Sequence, residues 1–467
     1  MAAGTEHEAF ILRLPDELLE PVLVSSARFT PDPPLRTRYE DYEDDEEDND
    51  YETPQALPLV CRRFHRLATP HLYADIAIRC NGRHEPNESV RRTKLLHRTF
   101  RESPSLWPHC RTLTILADSP WAAPGVPIYN AESLNMNLLY IAVDLVTWLT
   151  GATELCIRDC HGDHKMSDIL SLVRLAAEHM PGLKHLTLHG RWGSPFDLPL
   201  VSDTLSDLGL SACLRTLAIS GISYAGNDSD WKRLRAKAGT ASFTELNLRH
   251  FKHNLSALEA LVMWPARLER FSFRMPCSDY YSGDPALSQY SLAALQPILA
   301  TQRATLTHIR LQQIFSSGIE GFDMTIFPNL QSLWLSHDLT GTDTSLVANL
   351  VSPNLRMFHW DQMLEDQQQC ENLSSFGKRE EDWLRAFAAA AAVERKPTLR
   401  RIRVCYRPEP FFYSYNGQDE DCSPLYPWDR MDRVAREIQP HGIHLSYNKP
   451  NLTRKQFNER VEDRYNY

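Results

Sequence analysis

The sequence predicts an α/β fold: short parallel strands backed by helices, preceded by a small helical module. Three observations predict it. A six-residue apolar pattern, Leu-x-x-Leu-x-Leu with conservative replacements, keeps returning after residue 105. Between its copies lie segments with apolar residues at helical spacing, such as Ile169, Leu170, Val173 and Ala177. Ahead of the first copy, two short apolar stripes are separated by an acidic tract.

The pattern is clearest at Leu183 to Leu188, Leu214 to Ile219, Phe243 to Leu248 and Leu268 to Phe273. Further copies end at Leu311, Leu335, Trp360 and Val404, with weaker ones ending at Ile115 and Ile157. Their central apolar residues are 113, 155, 186, 217, 246, 271, 309, 333, 358 and 402. The last two apolar residues of a copy are two apart, so both face one side of a strand. Stacked in parallel, such strands build one continuous core with helices behind them. Helices are predicted over Ser167 to Met180 and over Glu380 to Arg395. The second opens with Glu380, Glu381 and Asp382 and ends in Arg395 and Lys396, which suits the helix dipole. Its five alanines, Ala388 to Ala392, add propensity. Gly442 to Leu445 predicts a closing strand, and the polar chain after Asn448 predicts a loose tail. Several central residues lie 24 to 31 apart. The array resembles an irregular leucine-rich repeat, whose period is about 20–29 residues. The Asn or Cys expected after each strand of that repeat occurs only as Cys160.

The first stripe reads Leu14-Pro15-Asp16-Glu17-Leu18-Leu19 and runs on to Val22 and Leu23. Pro15 suits a first helical position, and Asp16 and Glu17 suit the first turn. Pro21 predicts a kink or an end. A second helix is predicted from Thr53 as cap and Pro54 as first residue. Leu57, Val60, Cys61, Phe64, Leu67 and Ala68 form its stripe, with Arg62, Arg63 and Arg66 outward. Two helices this short cannot hide their apolar faces alone. They either cap the domain behind them or offer a surface to a partner.

Residues 12 to about 78 resemble the F-box, in its fungal form especially. The resemblance implies that Leu14, Pro15, Leu18, Leu19, Val60, Cys61, Phe64 and Leu67 contact a Skp-type adaptor, and through it a cullin. It implies a non-catalytic substrate-recognition subunit of an SCF-type (Skp–cullin–F-box) E3 ubiquitin ligase, cytoplasmic or nuclear. The alternative is a leucine-rich-repeat scaffold that binds partners without a ligase. The expected domains are an F-box at 10–78, split by a disordered acidic insert at about 25–53, repeats at 79–447, and a polar tail at 448–467.

Charge and composition narrow the function further. Of 467 residues, those from 40 to 52 hold ten acids and no Lys or Arg, which accounts for the whole net charge of −10. Such a tract repels itself and stays solvated. The remainder is formally neutral, so nucleic-acid binding gains no support. The longest nearly apolar run, Leu138 to Leu149, is broken by Asp144 and is too short for a membrane span. Ten cysteines without disulfide-like spacing fit a reducing compartment. Cys156, Cys160, His161 and His164 crowd into nine residues, without the intervening loop of a zinc finger. No phosphate loop, dinucleotide fingerprint or nucleophile elbow occurs, so no metal, cofactor or catalysis is expected.

The positions alternating with the apolar pairs would line one sheet face. Across ten copies they number thirty, and seven are arginine: Arg158, Arg249, Arg270, Arg274, Arg310, Arg401 and Arg403. His185, His189, His308 and His359 accompany them, against only Glu154, Glu245 and Asp361. This asymmetry predicts capture of an acidic or phosphorylated segment of a target protein, with Trp334 as an aromatic anchor.

Overall fold

All ten predicted copies form strands, and one further strand lies at each end of the series. The computed structural model describes residues 14–26, 59–79, 88–116, 131–160, 166–190, 197–223, 228–275, 289–314, 318–362, 373, 375–393, 398–406, 408 and 425–465. The acidic insert, Thr53, Pro54, Leu57, His161 and His164 lie outside them. Strand order in the sheet follows chain order, and the described pairings are parallel. The chain divides into two units, Met1–Thr187 and Leu188–Tyr467.

The first unit contains α1 (Asp16–Ser26), α2 (Arg62–Leu72), β1 (Asp75–Arg79), α3 (Glu88–Glu102), β2 (Thr112–Leu116), α4 (Ala131–Trp148), β3 (Glu154–Cys160) and α5 (Met166–His179). The division falls inside β4 (His185–Gly190). The second unit continues with α6 (Leu198–Asp207), β5 (Thr216–Ser223), α7 (Asp228–Arg235), β6 (Glu245–Lys252), α8 (Leu255–Met263), β7 (Arg270–Arg274) and α9 (Leu292–Ala300). It closes with β8 (His308–Gln312), β9 (Ser332–Ser336), α10 (His337–Thr340), β10 (Met357–Asp361), α11 (Lys378–Val393), β11 (Arg401–Cys405), α12 (Pro427–Ile438), β12 (His444–Tyr447) and α13 (Arg454–Tyr465).

Most of the strands start the same way. One carbonyl of a copy accepts two N–H groups of the next. In the first unit Ala74 O serves Arg111 and Thr112, and Arg111 O serves Thr153 and Glu154. In the second unit Glu269 O serves Thr307 and His308, and Arg356 O serves Arg400 and Arg401. This fixes register, so central apolar residues stand side by side: Phe271, Ile309, Leu333, Phe358 and Ile402. All of them are buried, each contributing roughly 1.5–3 kcal/mol of apolar burial. The first strand, β1, was not expected. It obeys the pattern as Tyr73-x-x-Ile76-x-Ile78, with Ile76 opposite Leu113.

Three strands leave the simple alternation at their ends. Gly221, His250 and Gln313, each four residues after a central apolar position, have φ of 77°, 48° and 49°. This left-handed turn switches the side that faces inward, so Phe251 and Ile314 are buried one residue later. In these three copies an apolar residue, Ile222, Phe251 or Ile314, stands three positions after the last apolar residue of the repeat pattern.

Two expectations differ from the structure. Pro21 neither ends nor interrupts α1, which runs to Ser26. Both Pro21 and Glu17, whose carbonyl loses its usual donor, face solvent. The tail is not loose: α13 buries Phe457 and the preceding Leu452, and Tyr426 Oη donates to Leu452 O at 2.6 Å. The polar composition hid two anchors.

Glu381 was expected only to complement the dipole of α11. It is buried, with 2% of its side chain exposed, and accepts from Arg385 (2.9 Å), Arg430 (3.1 Å) and Arg433. Burial raises its pKa, but hydrogen bonds from Arg433, Arg385 and Arg430 outweigh that and hold it below the usual 4.5. A carboxylate with a depressed folded pKa stabilises fully above its unfolded pKa, and the contribution fades as pH falls through the folded value. Glu381→Ala is expected to cost about 3–5 kcal/mol at neutral pH, read from urea midpoints. The gap between wild type and variant should narrow below about pH 4.5. Gly221 is equally constrained, because a Cβ there would lie 2.4 Å from Gly190 O. Gly221→Ala is expected to destabilise by about 3 kcal/mol or more, and an unchanged melting temperature would contradict this.

Candidate docking surfaces

Helices α1 and α2 are joined by a small core. Leu19, Leu23, Phe64 and Leu67 are buried together, and Leu14 and Cys61 pack against them partly covered. Asp16 clasps the pair from outside, accepting from Arg63 Nε at 2.7 Å and from Arg66 Nη2. The Arg66 and Arg63 guanidiniums hold its carboxyl below the usual range. Cys61 Sγ caps α2 by accepting from Phe64 N at 3.5 Å.

The predicted adaptor contacts therefore separate into two groups. Leu19, Phe64 and Leu67 hold the two helices together and are covered. Pro15, Leu18 and Val60 face solvent, and Val22 and Leu59 join them. Exposure is 57% for Leu18, 39% for Val22, 84% for Leu59 and 61% for Val60. Leu18 and Val22 lie one helical turn apart on α1, and Leu59 and Val60 adjoin each other just before α2. The spacing of Leu18 and Val22 by one helical turn was the sequence signal for the second of them.

In the second unit the predicted arginines also divide. Arg249 and Arg274 are register partners, and both are buried. Arg274 Nε donates to Gln313 Oε1 at 2.8 Å. Arg310 is buried too, its guanidinium 3.7 Å from the centroid of the Trp334 ring. Trp334 stacks in turn on His359, with centroids 4.7 Å apart and planes at 9°. Its Nε1 donates to Asp361 Oδ2 at 3.2 Å, and Gln312 Nε2 donates to the same oxygen at 2.6 Å. Trp334 is thus a packed element of the face and only half exposed. Arg270 is half-buried, while Arg401 and Arg403 are exposed. In the first unit Arg158 is half-buried.

Burial governs the histidines. It pushes His250 down to about 3, helped by Arg274, His189, Arg249 and Lys252. It pushes His359 down to about 3, helped by Arg403, Arg310, Arg401 and His308. His308 falls to about 4 through burial and Arg270. All three are neutral at neutral pH, so the charge of this face is carried by guanidinium groups.

Two exposed arginines escaped the sequence reading. Arg356 and Arg400 stand one residue before the positions assigned to the face. Their signal was the basic residue that recurs at that point, as in Arg111, Lys184 and Arg215.

Among the described residues, no group of three or more His, Cys, Asp or Glu could hold a metal. Nor, among them, is any helix long and apolar enough to cross a membrane. Compared with known proteins, the chain matches no family model and no curated sequence.

Asp361 supports the buried Arg310. Burial lowers the Arg310 guanidinium to about 10, and Asp361 acts against that fall. Asp361→Ala removes the carboxylate that acts against the desolvation of Arg310 and the acceptor of Gln312 and Trp334, with an expected loss of about 1–3 kcal/mol in chemical unfolding. A loss below about 1 kcal/mol would mean that the two groups do not depend on each other.

Proposed function

We propose that this chain is a non-catalytic substrate receptor of an SCF-type ubiquitin ligase. Helices α1 and α2 dock a Skp-type adaptor, which brings a cullin, and the repeat face holds a target protein. The observation that carries this reading is the exposure of Leu18 and Val22 on α1 and of Leu59 and Val60 just before α2, while the core between the two helices is already filled. Such residues favour association with a groove in another subunit. The resemblance of residues 12 to about 78 to the F-box names that subunit. Chemistry then belongs to other subunits of the assembly, and this chain contributes proximity.

The division of the apolar stripe decides which variants test this. Replacing Phe64 would open the core of the module and confound docking with folding. Leu18→Asp and Val60→Asp alter exposed positions only. The paired variant is expected to lose adaptor co-purification by about tenfold or more, while its melting temperature stays within about 2 °C. Undiminished co-purification, or an adaptor never recovered with the wild-type chain, leaves the repeat scaffold without a ligase as the better reading.

A further inference from the structure

Four arginines gather at the last strands of the sheet: Arg356 just before β10, Arg400 just before β11, and Arg401 and Arg403 within β11. All four are exposed, and among the described residues none has an ion pair or a side-chain hydrogen bond. His444 continues the row beside Arg401 and is exposed as well. The one acid predicted for the face here, Asp361, is buried and already accepts from Gln312 and Trp334. Other exposed arginines either pair, as Arg233 does with Asp203 and Arg454 with Asp429, or stand singly, as Arg174 and Arg303 do. Among the described residues, what distinguishes β10–β12 is that four such arginines stand on two neighbouring copies.

We infer that this end of the sheet is a docking strip for an extended, carboxylate-rich peptide segment, with acidic side chains at alternate positions. The inference rests on the reading of the repeat face as the target-binding surface, and it names the subsite and the chemistry. Spacing supplies the argument. Arg401 and Arg403 are two residues apart on one strand, so their Cα atoms lie about 6.7 Å apart along it. An extended peptide presents every second side chain at the same interval. A segment lying along β11 therefore meets one guanidinium with each alternate carboxylate, in paired charge-assisted hydrogen bonds. Arg356 and Arg400 directly precede neighbouring strands, about 4.8 Å apart across the sheet, and add positive charge at its start. A single phosphate would be served better by donors converging on one point. These four are strung out instead. Arg249, Arg274 and Arg310 are buried and support the face, leaving the contacts to the free group.

The test measures anisotropy of a labelled peptide alternating Glu and Ser, titrated with the full chain at physiological salt. Arg401→Glu/Arg403→Glu is expected to weaken binding by about tenfold or more, and Arg356→Glu/Arg400→Glu to weaken it also. Lys455→Glu/Arg460→Glu on α13 makes the same change in net charge and should stay within about twofold. All the altered side chains are exposed, and thermal melts verify the fold. Equal weakening by the α13 pair, or no binding by the wild-type chain, overturns the strip. A peptide with one phosphoserine and no Glu that binds more tightly than the Glu peptide overturns the carboxylate assignment. Adaptor co-purification on the same variants is an independent readout. Its absence with peptide binding intact rejects the ligase reading and leaves the strip standing.

Discussion

The strands depend on one constraint. Each copy places two side chains in the interior, and in most copies the first N–H groups bond to the copy before. Parallel strands without this shared start could slip by one residue and turn every apolar side chain outward. The remaining positions are free of the core, but neighbouring strands stand only about 4.8 Å apart. Long side chains placed there must lie against one another. Arg249 and Arg274 are covered although they belong to a sheet face, and Arg310 lies flat on Trp334. Crowding accounts for both. Desolvation then acts on the groups that crowding covers, which is how His250, His308 and His359 come to be neutral.

Crowding also separates the arginines by role. A guanidinium covered by an indole and balanced by Asp361 has lost the hydration and freedom it would exchange for a ligand. Arg401 and Arg403 retain both. Their register partners differ: β12 offers His444 and Ser446 beside them and β10 offers Met357 and His359, with no indole opposite either arginine. Sequence could count the seven arginines but could not rank them. Rank depends on what stands on the adjacent strand.

Much of the fold was legible for the same reason that the face was not. The interior repeats one chemical demand, so every central residue from Leu113 to Ile402 could be read from spacing, and all are buried. Where local geometry changed the demand, reading failed. Tyr73 opens the copy that forms β1, yet it also extends the apolar stripe of α2, and the helical period concealed it. His250 and Gln313 adopt left-handed backbone that propensity alone does not favour, and the alternation expected at those two strand ends fails there. Leu452 and Phe457 are too sparse to show a period, but two anchors suffice once Tyr426 is in place. Arg356 and Arg400 fell outside the strand positions and so outside the count.

The helical module shows how little apolar surface can serve two purposes. Helices α1 and α2 have eleven residues each, too few to be stable alone. Leu19 and Leu23 turn toward Phe64 and Leu67, and Asp16 bridges the two helices outside that core through Arg63 and Arg66. Leu18 and Val22 precede Leu19 and Leu23 by one residue, about 100° around the helix, and cannot reach the same core. Moving them inward would require rotating α1, which would expose Leu19 and Leu23 instead. The stripe is therefore wider than one partner can cover, and a second surface must meet its outer half for it to be dry. Sequence reading treated the stripe as a single contact set. Its geometry assigns half to folding and makes the other half available to another molecule.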